Sequence, residues 1–280
     1  MNQYIVRCLF PVLFLLPVFA QAAAEAERSI THLAGDVYRF QNNAHFSVFM
    51  VTPEGVIATD PISPDAARWL NNEIQERFDV PVKYVIYSHD HWDHVSGGAE
   101  FEGATIISHA NAVPYIAASD DPIVMPDLTF TTEMEISLGG KSVKLYYLGP
   151  SHSDNLVYAV FPEEKILFGV DAISVNRLPF QTMEGTEIDG VIGSIAALEQ
   201  MDIEIVSPGH GETGTLEDLA AHRIYLETLK ERVGNLLRQG QSMGQIKAAV
   251  TMSEYSHWGS YEGWQQMNVE GMVNYLQEQQ

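Results

Sequence analysis

Ser88-His89-Asp90-His91-Trp92-Asp93-His94 is the stretch whose reading decides the fold of this chain. Seven residues carry three imidazoles and two carboxylates in the order His-x-His-x-Asp-His. Imidazole and carboxylate are the usual ligands of zinc and its neighbours, and a catalytic site keeps one position open for water. The apolar, β-branched run Val82 to Tyr87 precedes the stretch, and Val95-Ser96-Gly97-Gly98 follows it. That order predicts a strand end, a ligand loop and a tight turn into a helix. Alternation puts His89 and His91 on one side of an extended segment, while the neighbours Asp93 and His94 point apart and serve a second metal.

The rest of the chain limits what such a site can be made of. Its 280 residues suit one large α/β domain, and a hydrophobic fraction of 46% supplies an ample core. Arg7 is the one charge before Glu25, and Cys8 to Ala20 is an apolar run closed by the small-x-small pattern Ala20-Gln21-Ala22. Residues 1–22 therefore read as a signal peptide, too short in its apolar run for a bilayer span, and 23–280 as the folded domain. The expected location is the periplasm or the outside of the cell. Cys8 is the only cysteine. An exported chain would then have no disulfide, no cysteine nucleophile and no thiolate ligand, so a metal must be held by N and O atoms. Fifteen Lys+Arg against 37 Asp+Glu give a net charge of −22. Such a surface repels nucleic acid and anionic membrane, which leaves a small molecule as the expected partner.

Short alternating strands are predicted at Val37–Phe40, Phe46–Val51 and Val56–Thr59, with Pro53-Glu54-Gly55 as a hairpin turn. Ser63-Pro64-Asp65 opens a helix through Phe78. Strands at 82–88 and 105–108, β-structure over 128–148, and the pair Leu156–Phe161 and Lys165–Gly169 follow. A helix ends near Met201, a last strand spans Ile203–Val206, and Leu216–Arg238 is a long amphipathic helix before a helical tail. Three further polar residues each follow a strand: His152 in Gly-Pro-Ser-His, Asp171 after Ile166 to Val170, and His210 in Pro-Gly-His-Gly. Asp60, at the end of Val56–Thr59, reads either as a partner of a ligand histidine or as a turn residue before Pro61. His32, His222 and His257 read as surface or packing residues, and His109 as a structural cap.

In this set of motifs the chain resembles the metallo-β-lactamase superfamily over everything after residue 22. The resemblance implies a four-layer αββα sandwich with a dinuclear site on its edge. It implies that His89, His91 and His152 bind one metal, that Asp93, His94 and His210 bind the other, and that Asp171 bridges or completes the second. Zinc is the implied metal, two ions per chain, with iron or manganese able to use the same ligands. Two cations lower the pKa of a shared water, and the resulting hydroxide attacks a carbonyl of a small ester, lactone, thioester or amide. Asp93 and Asp90 are the expected catalytic carboxylates, Asp90 as an orienting group. His45, Phe46 and Arg177 are the expected substrate contacts, with the loop Ser174–Glu187 as a pocket wall. The wording Gly149-Pro150-Ser151-His152, Asp154-Asn155 and Lys165-Ile166-Leu167-Phe168-Gly169 is that of zinc β-lactamases. Those enzymes, however, carry cysteine at the position of Asp171 and a substrate-binding lysine at that of Ser174. A β-lactamase is therefore the competing reading. A di-iron oxygen reductase would place Glu where this chain has His91 and would carry a flavin domain. An accessory protein without activity has no reason to retain seven ligands.

Overall fold

A computed structural model describes residues 26–279, so the segment read as a signal peptide lies outside the described residues. The domain is an αββα sandwich, as the sequence implies. Its first sheet has seven strands in chain order: β1 (Arg28–Ala34), β2 (Val37–Asn42), β3 (His45–Thr52), β4 (Gly55–Thr59), β5 (Val82–Ile86), β6 (Thr105–His109) and β7 (Leu128–Phe130). Hairpins keep β1 to β4 antiparallel, and crossovers through helices α1 (Pro64–Phe78), α2 (Trp92–Val95) and α3 (Ala112–Ala118) make β4 to β7 parallel. The second sheet has five strands: β8 (Glu133–Leu138), β9 (Lys141–Tyr146), β10 (Tyr158–Phe161), β11 (Ile166–Val170) and β12 (Ile205–Pro208), with β11 and β12 parallel. Helices α4 (Ile188–Leu198), α5 (Leu216–Arg238), α6 (Met243–Ala249) and α7 (Tyr261–Glu278) complete the chain.

Period-two alternation divides the apolar residues between two cores. In β4, Ile57 joins the core between the sheets, while Val56 and Ala58 face Ala66, Ala67, Leu70 and Ile74 of α1. The Ser63 side chain caps α1 by accepting from the Ala66 N–H, with Pro64 at the first turn. The central core joins Val48, Met50 and Ile86 of the first sheet to Leu145, Phe161 and Leu167 of the second, and continues into α4, α5 and α7.

Several element ends differ from the sequence reading. Strand β5 stops at Ile86, which releases Ser88 and His89 from the ladder. His109 closes β6 and stacks on Tyr147 at 3.8 Å rather than opening α3, which begins at Ala112. The last strand is displaced to Ile205–Pro208; β12 is an edge strand, where proline costs no ladder bond. Among the described residues no helix is long and apolar enough to cross a membrane.

Candidate metal centre

The polar residues at the strand ends meet along one edge of the sandwich. Three of the histidines there, His89, His94 and His210, have one ring nitrogen committed to the protein. Asp60, directly after β4, is fully buried; its Oδ1 accepts the Ser88 N–H at 2.8 Å and its Oδ2 the Ser88 hydroxyl at 2.7 Å. Since that hydroxyl has one proton, Ser88 Oγ accepts from His89 Nδ1 at 2.9 Å. His94 Nδ1 donates to the same Asp60 Oδ2 at 2.8 Å, and His210 Nδ1 to the Ala44 carbonyl at 2.9 Å. The proton on Nδ1 leaves Nε2 as the free ligand atom in all three rings. Of the two readings of Asp60, the structure supports the partner of ligand histidines; the Ser88 relay was not legible in sequence.

The free atoms converge. His89, His91, His152 and Asp171 present ligand atoms within 4.8 Å of one another, as do His94, Asp171 and His210, and as do His45, Asp93 and His210. Asp171 is common to two of these groups, its Oδ2 3.4 Å from His94 Nε2 and its Oδ1 3.4 Å from His210 Nε2. His91 Nδ1 lies 3.2 Å from His152 Nε2. All seven expected ligands therefore meet at this edge, with His45 added beside Asp93 at 3.1 Å.

A cation fits what these residues lack. His89 Nε2, His94 Nε2 and Asp171 Oδ1 are buried with no hydrogen-bond partner. Each such group costs about 1–3 kcal/mol unless something satisfies it. Backbone shape preserves the space: a Cβ on Gly209 would lie 2.6 Å from Asp171 Oδ1 and 3.2 Å from His94 Cε1. Val170, next to Asp171, has φ +49°, a costly conformation for a β-branched residue, at the point where β11 breaks register. Electrostatics agree with the geometry at His89, His152 and the two carboxylates. Burial, then the neighbouring His94, hold His89 well below the usual imidazole range, and burial brings His152 to about 4, so both stay neutral as ligands must. Burial opposes charge on Asp171 and His94 too. Their mutual attraction, with Asp60 beside His94 and His210 beside Asp171, outweighs it, lowering Asp171 and raising His94. For Asp93, the bond from His45 and the charge of His94 outweigh burial and lower its pKa.

The metallo-β-lactamase superfamily profile matches residues 58–210, from β4 to the last of these histidines. The chain belongs to the metallo-β-lactamase superfamily. Most members of the superfamily are hydrolases, and this His/Asp cluster suits that chemistry. A "Metallo-beta-lactamase type 2" of Bacteroides fragilis is 27% identical over 227 residues, covering 75% of this chain and 90% of its own. The "2,4-dinitroanisole O-demethylase subunit alpha" of a Nocardioides strain is 35% identical over 125 residues, 42% of this chain but 38% of that longer relative. The solved structure of a metallo-beta-lactamase from Pontibacter korlensis shares the fold at TM-score 0.65 and 21% identity, over 72% of this chain and 99% of its own.

Helices α5 and α7 lie beyond the profile match, yet they help build the cleft in front of the cluster. Its volume is about 640 Å³, and its walls include His45, Arg177, Phe180, Met183, His222 and Trp264. Phe46 is placed elsewhere: next to His45 on β3 it points to the opposite face and packs under the Arg39 guanidinium at 3.6 Å. Arg39 in turn donates to the carbonyls of Pro208 at 3.2 Å and Gly211 at 2.6 Å, on either side of His210. Asp90 holds the ligand loop instead of joining a ligand group. Its N–H donates to Asn155 Oδ1 at 3.0 Å, and its Oδ1 accepts from Asn155 Nδ2 at 2.7 Å. Trp258 packs in the core against Tyr225, whereas Trp264 reaches the cleft.

Proposed function

We propose that this protein is a dinuclear, zinc-dependent hydrolase of a small carbonyl compound such as an ester, lactone, thioester or amide. The observation that carries the reading is the sharing of Asp171 between two groups of imidazoles, in which His89 Nε2, His94 Nε2 and Asp171 Oδ1 are buried without a hydrogen-bond partner. His89, His91 and His152 would hold one ion and Asp93, His94 and His210 the other, with Asp171 within reach of both groups. Ions bound there supply Lewis acidity and bring the pKa of a water toward neutrality. Asp93, kept ionised by His45 on the cleft wall, would orient a water toward the carbonyl and accept a proton from it. Asp60 and Ser88 fix the ring orientations of His89 and His94, and Asp90 acts through Asn155 as a positioning residue. Iron or manganese would use the same donors. The net charge of −22 supports a small-molecule substrate over nucleic acid or membrane, and the apolar run near the start of the chain supports export to the periplasm or beyond.

A β-lactamase is the second reading, favoured by the extent of the Bacteroides fragilis match. Hydrolysis by zinc-loaded protein lacking residues 1–22, with and without chelator, separates the two. The panel is a chromogenic cephalosporin, a set of lactones, a thioester, and 2,4-dinitroanisole from the Nocardioides relative's name. Chelator-sensitive lactone or thioester turnover at kcat/KM of about 10⁴ M⁻¹s⁻¹ or more, with trace β-lactam activity, is expected. Fast cephalosporin turnover would favour the second reading, and turnover of dinitroanisole alone would overturn both.

A further inference from the structure

His45 lies at the tip of the β2–β3 hairpin, where it opens β3 opposite Asn42. Only Asn43 and Ala44 form the turn, with Asn43 at φ +54°, a left-handed conformation that asparagine adopts readily. The turn is tied down on both sides. The Asn43 N–H donates to the Glu27 carbonyl at 2.7 Å, and the Asn43 side chain accepts the Glu27 N–H at 2.9 Å. Toward the centre, the Phe46 N–H donates to the Gly209 carbonyl at 2.8 Å, and the Ala44 carbonyl accepts from His210 Nδ1 at 2.9 Å. Both chain neighbours of His45 are thus bonded to Gly209 and His210. That clamp sets the His45 ring 4.6 Å from the His210 ring, centroid to centroid. A side chain fixed this way by strand backbone is placed in advance of any ligand.

The atom it brings there stands among ligand atoms. His45 Nε2 is 3.1 Å from Asp93 Oδ2, closer than the 3.9 Å between that oxygen and His94 Nε2. Two atoms bound tetrahedrally to one zinc, each at about 2.0–2.2 Å, lie about 3.3–3.6 Å apart, so these spacings suit joint ligation. His45, Asp93 and His210 form one group of converging ligand atoms, and His94, Asp171 and His210 form another. The two groups share His210, whose Nδ1 is already given to Ala44. One free Nε2 serves one ion, so a single ion answers to both groups. His45, Asp93, Asp171 and His210 all line the cleft, with the fully buried His94 behind them. Zinc can expand from four ligands to five.

We propose that His45 is itself a metal ligand, binding the second ion through Nε2 in company with Asp93 and His210. The proposal rests on the two-ion reading of the centre and is independent of hydrolysis. A hydrogen bond from His45 to Asp93 alone is the competing account, and nuclear magnetic resonance separates the two. The sample is the full chain with nitrogen-labelled histidine rings, loaded with a magnetically active cadmium isotope in place of zinc. His45 Nε2 is expected to show scalar coupling to cadmium, in a signal assigned by its loss in His45→Gln. Chelator competition with zinc supplies the second measurement. The glutamine amide still donates to Asp93 but is a poor ligand for zinc. His45→Gln should therefore weaken the second ion at least about tenfold, no less than losing a partner that orients a ligand, and leave the first ion unchanged.

Two bound ions without coupling at His45, or zinc affinity unchanged in His45→Gln, would overturn the proposal and leave the dinuclear centre standing. A single bound ion coupled to His45 would keep it as a ligand and remove the dinuclear reading. A single ion without that coupling, or no ion at all, would remove both. Coupling at His45 in a protein that hydrolyses no carbonyl compound would keep the proposal and remove only the hydrolase reading.

Discussion

At the scale of single residues, Asp60 has the most consequence for its size. It touches no ligand cluster with a free atom, yet the tautomers of His89 and His94 both depend on it. Replacing it with asparagine removes an acceptor and adds an amide donor in a fully buried place. Asp60→Asn is expected to lower metal affinity roughly 10- to 100-fold, the usual effect of removing a partner that orients a ligand. Chelator competition on the folded variant measures it; affinity equal to that of the unaltered protein would show that the relay through Ser88 does not set the ligands. The seven residues of the candidate centre were readable because their chemistry lies in residue type and in position after a strand. The relay was not, because Ser88 meets its partner 28 residues away, and His222 meets Ser174 across 48. A tautomer is a property of such pairs and has no signature in either residue alone.

Elements were legible where their ends are made locally. The span Leu216–Arg238 is recovered as α5 because Thr215 and Asp218 form a capping box within four residues of chain. The shared αββα plan was legible too, since buried strands read as apolar runs and the hairpins carry their own turns. What α7 does was not. Asn268, fully buried on α7, donates to the carbonyls of Pro179 at 2.9 Å and Gln181 at 2.6 Å and accepts from the Tyr225 hydroxyl at 2.7 Å. It thereby fastens the loop that carries Arg177, and Gly259 pairs with the backbone of Asn176 and Leu178 on the same loop. Asn268→Ala strands the buried Pro179 carbonyl and Tyr225 hydroxyl and frees the Gln181 carbonyl, which should cost about 2–4 kcal/mol and release the loop. Urea unfolding gives the first number. Steady-state kinetics on a turned-over substrate gives the second effect, a rise in KM larger than the fall in kcat. A variant as stable as the parent would mean that α7 rests on the loop without holding it.

For the whole molecule, the balance of buried imidazoles fixes how stability follows pH. In the unfolded chain His222 takes up a proton near its ordinary value of 6.5, whereas the folded protein delays that to about 3. Between those values the unfolded state binds more protons, so stability is complete above pH 6.5 and declines as pH falls toward 3. At pH 5 the loss from this one ring comes to about 2 kcal/mol, from a gap of about 1.5 pH units at 1.36 kcal/mol each. Two histidines of the candidate centre held neutral, His89 and His152, push in the same direction, so the comparison must subtract them. Urea midpoints of chelated protein at pH 7 and pH 5, for the unaltered chain and His222→Asn, perform that subtraction. The variant starts less stable at pH 7, but its decline should be shallower by about 2 kcal/mol, because asparagine keeps the bond from Ser174 without anything to protonate. Parallel declines would show that His222 is charged, or free to become so, in the folded state. Repeating the pair with saturating zinc separates the two sources of acid sensitivity. Metal at about 1,000 times its Kd adds roughly 4 kcal/mol at pH 7. That increment shrinks in acid because protons compete for the same Nε2 atoms, while the His222 difference between the two proteins is expected to persist.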